Sequence, residues 1–225
     1  DASRRQRVRT SALPRPPAEA ALHDELAVLG SFVAGPRALE RFAGDAPVNT
    51  DDHPVVAYLA PHVTYAPDST PGERLAELLA GLELAPEEVM SDATTAAMRE
   101  RLGAYWRARD RFIAIGQGVQ PSADAQRMLA QVGEPLLEVL ASSPEFRPAY
   151  DPLLRLSSAV AASDPAAARR WLSALARLQP ARPEAAQALA DELRAAGGSA
   201  EACAFNLTDR AATHAACEQL LVDGP

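Results

Sequence analysis

Ser143-Pro144-Glu145-Phe146-Arg147-Pro148-Ala149 and Gln179-Pro180-Ala181-Arg182-Pro183-Glu184-Ala185 are two versions of one punctuated turn. The Arg-Pro pair recurs at an offset of 35, from Arg147 to Arg182. In each copy a Pro stands where a helix begins, and an Ala small enough for a helix crossing follows. Apolar residues recur at helical spacing on both sides. The stretch 122–141 carries Met128, Leu129, Val132, Leu136, Leu137 and Leu140, with Gly133 and Pro135 expected to bend it. A second helix is expected from about Pro148 to Ala162. Asp164-Pro165 opens a third, whose inner face is Ala168, Trp171, Leu172, Leu175 and Leu178. Pro183 opens a fourth that stops at Gly197-Gly198, and a last helix is expected over 209–222. Such helix pairs cannot bury their apolar faces alone, so neighbours stack. Trp171 is therefore expected against Leu153, Leu154 and Leu189.

Composition agrees with a mainly helical chain. Of 225 residues, 49 are Ala, and all 22 basic residues are Arg. Ala and Arg are good helix formers, although a GC-rich genome favours the same two residues. The 19 Pro cut the chain into short pieces. Collagen-like, cysteine-scaffold and wholly disordered proteins are excluded. The net charge is −8, but residues 1–15 carry +4, so the remainder carries −12. An acidic body does not suit nucleic acid. No run reaches the roughly 20 apolar residues of a membrane helix, and no signal-peptide pattern opens the chain. Cys203 and Cys217 are placed to pair across a terminal loop, yet two thiols define no redox compartment.

The first third reads differently. Residues 1–17 are an Arg/Pro-rich linker or severed element. A helix is expected over 18–29, and a short one between Pro36 and Gly44 with Leu39 and Phe42 facing inward. The polar cluster Asn49-Thr50-Asp51-Asp52-His53-Pro54 precedes Val55-Val56-Ala57-Tyr58-Leu59-Ala60, which Pro61 closes. This apolar, β-branched run between breakers reads as a strand buried on both faces. Its sheet partners are not evident in the chain, which places them upstream of Asp1. Thr70-Pro71-Gly72-Glu73 has the form of a capping box for a helix that stops at Gly81. A long helix over about 92–116 carries the stripe Met98, Leu102, Tyr105, Trp106, Phe112 and Ile113.

Little of this is catalytic chemistry. His53 and His62 are nine residues apart. Along a strand that separation is roughly 30 Å, which forbids a shared metal ion. Asn49, Thr50, Asp51 and Asp52 suit a turn whose side chains hold backbone amides. Gly116-Gln117-Gly118 follows a helix, not a strand, and so fails the test for a nucleotide loop. No nucleophile elbow is present. His214 reads as a surface residue, and Trp106 and Trp171 as core anchors.

Two resemblances follow from these residues. The turn period of 35 is close to the ~34-residue tetratricopeptide repeat. The stretches Leu29–Pro36 and Pro47–Pro61, with their Asn-Thr-Asp-Asp-x-Pro motif, resemble the C-terminal end of bacterial spermidine synthase-like proteins. So does Phe146–Leu154. That resemblance implies a division into 1–17, a segment 18–66 that closes a Rossmann-type α/β domain, and a tetratricopeptide-like helical domain over 67–225. It implies decarboxylated S-adenosylmethionine as co-substrate of the parent enzyme, an upstream catalytic domain as partner, and a cytoplasmic location with a tether to the membrane through an N-terminal region. As the alternative to the turn role, it also implies that Asp51 or Asp52 lines the rim of a polyamine pocket in that upstream domain, where a carboxylate attracts ammonium groups. The glycine-rich loop and catalytic aspartate loop of that family are absent here, so the chain is expected to be inactive by itself and to hold no cofactor. The alternative is a standalone module whose helical repeats bind a protein partner.

Overall fold

Helices make up all the regular structure among the described residues of the computed structural model, which are 22–68, 70–82 and 84–202 together with 211, 214, 215 and 218. The chain divides into two compact units, Asp1–Gln117 and Gly118–Pro225. The helix expected over 209–222 falls mostly outside the described residues, as do Cys203 and Cys217 and the Arg/Pro-rich start. His214, which is described, is exposed and lies 3.5 Å from Glu218.

In the first unit, α1 spans Glu25–Gly30, and the Asp24 carboxylate caps it by accepting from the Ala27 amide at 2.7 Å. Helix α2 spans Pro36–Ala43 and ends at Gly44. The inward pair expected on it is wrong: Leu39 and Phe42 are exposed, at 49% and 65%. Ala34 and Ala38 make the contact instead, packing with Leu78 and Leu82. Small side chains allow the close approach, and that approach turns the two larger ones outward.

The expected strand is also corrected. Val55–Ala60 lie in α3, a helix over Val55–Thr64, and the described residues contain no strand. An extended segment needs neighbouring strands for its amides and carbonyls. None is among the described residues, whereas a helix pairs these groups internally. Asn49 Oδ1 adds a partner for one orphan amide, accepting from Val56 N–H at 3.0 Å. Nor is the segment buried on both faces: α3 has no buried residue, and Tyr58 is 73% exposed.

Helix α4 spans Pro71–Gly81 as expected, but Thr70 makes no side-chain capping bond, so the capping box is not formed. A single turn, α5, follows over Pro86–Val89. Helix α6 spans Ala96–Gly118 and buries Leu102, Tyr105, Trp106 and Ala108. It satisfies the free carbonyls at the end of α1. Trp106 Nε1–H donates to Leu29 O at 3.1 Å, and Arg109 Nη1 donates to Gly30 O at 3.0 Å and to Phe32 O.

Over residues 118–202 the second unit contains a run of four helices: α7 (Ala125–Ser142), α8 (Arg147–Ala159), α9 (Pro165–Leu178) and α10 (Glu184–Ala195). Asp124 caps α7 by accepting from the Gln126 and Arg127 amides, and Asp164 caps α9 by accepting from Ala167 N–H at 2.9 Å. Pro135 and Pro152 lie inside α7 and α8 without ending them. Gly197, at φ +85°, closes α10. Its amide donates to Arg194 O and that of Gly198 to Leu193 O, the paired bonds of a Schellman stop. Each helix packs on the next, α7 also on α9, and α8 also on α10. Val139, Leu140, Leu153, Leu172 and Leu175 form the interior. Trp171 is buried there, with its indole pressed onto Gly133 of α7, where a Cβ would meet Cη2 at 2.5 Å. Arg169 ties α9 to α10 through two bonds, 2.5 and 3.1 Å, to the buried Glu192 carboxylate.

Gly133→Ala is therefore expected to destabilise. Overpacking a rigid indole costs about 1–3 kcal/mol, against a helix-propensity gain of about 1 kcal/mol. Gly116→Ala, in α6 with nothing near its missing Cβ, should stabilise. Chemical denaturation of both variants checks the opposite signs.

Candidate functional site

Asp51 and Asp52 lie in an exposed turn ahead of α3. Asn49 and Thr50 hold the backbone there: Thr50 Oγ1 accepts from His53 N–H at 3.1 Å, and the Thr50 and His53 backbones bond each other in both directions. The two carboxylates face solvent. His53 and His62 are separated by helix rather than strand, so their distance is about 13 Å at 1.5 Å per residue instead of 30 Å. That still exceeds what one ion can bridge. Among the described residues no three His, Cys, Asp or Glu side chains gather as a metal site. Gly116-Gln117-Gly118 is the last turn of α6 and not a loop. No helix of the described residues is long and apolar enough to cross a membrane.

The second unit gathers its polar groups at the two repeated turns, which lie one upon the other. Gln179 Nε2 donates to Pro144 O at 3.0 Å, and Arg182 Nη2 donates to Glu145 O at 3.0 Å. Arg147 Nη2 reaches Glu184 at 3.2 Å and its Nε reaches Asp151 at 3.3 Å. The Arg182 guanidinium stands over the Tyr150 ring, 5.0 Å from its centroid. Four buried polar atoms here make no hydrogen bond: Ser143 Oγ, Tyr150 Oη, Arg182 Nη1 and Glu184 Oε2. The Ala185 amide lies near enough to favour the Tyr150 phenolate slightly, but it closes no hydrogen bond of ordinary geometry. Burial, with the Glu184 carboxylate second, pushes the Tyr150 hydroxyl above its usual value. Burial, with Arg147 second, lowers the Arg182 guanidinium.

At the other end of these helices a groove of about 510 Å³ opens between α8, α9 and α10. Its floor is Ala161, Ala162, Ala188 and Leu172, and Asp191 and Glu192 stand on one side. Both carboxylates are engaged within the unit, Asp191 by Gln187 and Arg194, Glu192 by Arg169. Such a surface offers shape and mostly apolar contact. It contains no paired acid and base, and no nucleophile next to a base.

Sequence reasoning found the turns but not their side-chain roles. The recurring Arg-Pro pair was the available signal, because a cation repeated at equivalent turns is placed to bridge them. The groove had no such signal, since its floor is mostly Ala in a chain full of Ala. A scan of protein-family models, a search of curated proteins and a search of solved structures found no match to this chain.

The raised Tyr150 value makes a pH prediction. The folded state prefers the neutral phenol, so the stabilisation is complete below the unfolded value of about 10 and is lost as pH rises through the raised one. Melting temperatures of the wild type should fall as pH rises above about 10. Those of Tyr150→Phe should fall less over the same range. Near pH 7 the variant should melt close to the wild type, because the lost hydroxyl has no bond to forfeit.

Proposed function

We propose that this chain is a helical docking module of tetratricopeptide-like type, which binds a peptide segment of a protein partner in the groove between α8, α9 and α10. The carrying observation is the packing of the second unit. Each helix meets its neighbour and its next-but-one, and equivalent turns stack on one another. Repeat stacks built this way use their open surfaces for extended or helical peptides. The acidic body favours a partner segment with basic residues. The test is selection from a displayed peptide library on the purified chain, repeated with Ala188→Trp, which fills the groove from an only partly buried position. Peptides enriched on the wild type should be lost on the variant while its helical content holds. A library that enriches nothing, or the same peptides on both proteins, rejects the reading.

A second reading rests on α3. In it, the chain is the non-catalytic C-terminal part of a spermidine synthase-like aminopropyltransferase, and the catalytic domain of the same protein covers the apolar helix that follows the Asn-Thr-Asp-Asp-x-Pro stretch. The exposure of Val56, Tyr58 and Leu59 favours it, because such a face gains from being covered. The chain alone should then form no spermidine from putrescine and decarboxylated S-adenosylmethionine above a blank without protein. Turnover by the 225-residue chain rejects this reading.

A further inference from the structure

The groove between α8, α9 and α10 has an occupant available within the same chain. Ala195 and Ala196, at the end of α10, themselves line the groove. The continuous run of described residues ends soon after, at Ala202, and residues 203–225 follow. That segment therefore departs from the groove's own edge. A tether this short holds it there at an effective concentration on the order of millimolar.

The segment has a face that fits. Counted on the helix expected over 209–222, Ala212, Ala216 and Leu220 recur every fourth residue, with Thr213 and Cys217 beside them. None of the five is charged. Positions 211, 214, 215 and 218 share the opposite face; they are helical and exposed, and His214 meets Glu218 there at 3.5 Å. An uncharged, mostly apolar face behind an exposed one is the pattern of a helix that packs on one side. The groove floor of Ala161, Ala162 and Ala188 lets a helix with small residues approach closely. Asp191 and Glu192 are already paired within the unit, so an uncharged face strips no partner from them. Charge adds nothing to the hold: Asp209, Glu218 and Asp223 against Arg210 leave the segment at −2. A peptide with basic residues has the attraction to the acidic body that the segment lacks.

We propose that the chain's own segment 203–225 occupies this groove, laying Ala212, Ala216 and Leu220 on its floor, and that a partner peptide binds by displacing it. The displacement rests on the groove being the peptide site proposed above. The tether makes the segment a strong competitor without strong contacts, and so a removable one.

Hydrogen exchange on the full chain, at two protein concentrations, tests the occupancy. A lone helix of this length is marginal in water, so its amides are protected only where it packs. Those of 212–222 should exchange at least about tenfold more slowly than in a synthetic peptide of residues 203–225. Leu220→Asp, in the segment, and Ala188→Trp, in the groove, should each remove that protection and leave the interior amides of α7 and α9 unchanged. Peptides selected on the chain should bind Leu220→Asp about tenfold more tightly than the wild type, because the competitor is gone. Absence of protection in the wild type would overturn the proposal. So would protection that Ala188→Trp leaves in place, which puts the segment elsewhere, or protection that grows with protein concentration, which assigns the groove to a second copy. Peptides that bind the wild type and Leu220→Asp equally would overturn the displacement. The expected exchange pattern with no peptide enriched on any of the three proteins would support the occupancy and reject the partner reading alone.

Discussion

The second unit depends on laying one turn upon its copy. A chain that leaves α7 and re-enters α8 within a few residues exposes backbone carbonyls that no helix can satisfy. Those of Pro144 and Glu145 accept hydrogen bonds from Gln179 and Arg182 of the next turn. The same pair of bonds fixes how far α9 and α10 are displaced from α7 and α8, and Arg147 on Glu184 closes the spacing from the other side. The arrangement has an unfavourable side. Arg182 is partly desolvated, and its own Nη1 and three further polar atoms at these turns are buried without partners. The Tyr150 ring under the guanidinium offsets part of that cost, since a cation over an aromatic face is attracted by the ring's quadrupole.

With the register set at the turns, the helices can approach only as closely as their small residues allow. Gly133 is the position that admits the Trp171 indole, and the fully buried Ala149, Ala168 and Ala185 stand at the same kind of crossing. Few aromatics are therefore enough: one Trp placed against a Gly fills space that would otherwise take several smaller side chains. The first unit shows the same economy in a weaker form. Its contact between α2 and α4 is made through Ala34 and Ala38, while Leu39 and Phe42 remain in solvent.

What was legible in the sequence is what residues decide locally. Asp164 at an N-cap, Pro165 in a first turn and Gly197-Gly198 past an end mark real boundaries, because each satisfies or terminates a helix by its own chemistry. The misreadings are positions where local preference competes with what surrounds the segment. Val55–Ala60 has the β-branched composition of a strand, but composition supplies no hydrogen-bonding neighbour, and the backbone closes on itself as a helix instead. Leu39 and Phe42 have the right period for a core face, but period does not say which face meets another helix. Trp171 was placed correctly as a buried anchor, but its contact with Gly133 was not foreseen. Gly133 has no side chain with which to declare a contact, and reads in sequence only as a weak point in α7.

The correction at α3 changes the energetics of the first unit more than its outline. A buried strand would have contributed its apolar side chains to a core. As a helix of ten residues with none buried and only Val55 half-buried, the segment contributes little packing. Helices shorter than about 12–15 residues are marginal in water when nothing packs on them, and Pro61 removes one of the amides that would have bonded internally. What holds α3 is confined to its start, in the Asn49 cap and the Thr50–His53 turn. Asn49 and Thr50 thus matter for the helix they begin, while Asp51 and Asp52 between them leave the exposed turn negatively charged. An acidic turn joined to an uncharged apolar helix that stays folded through its first turn alone is the element of this chain with most to gain from a covering surface.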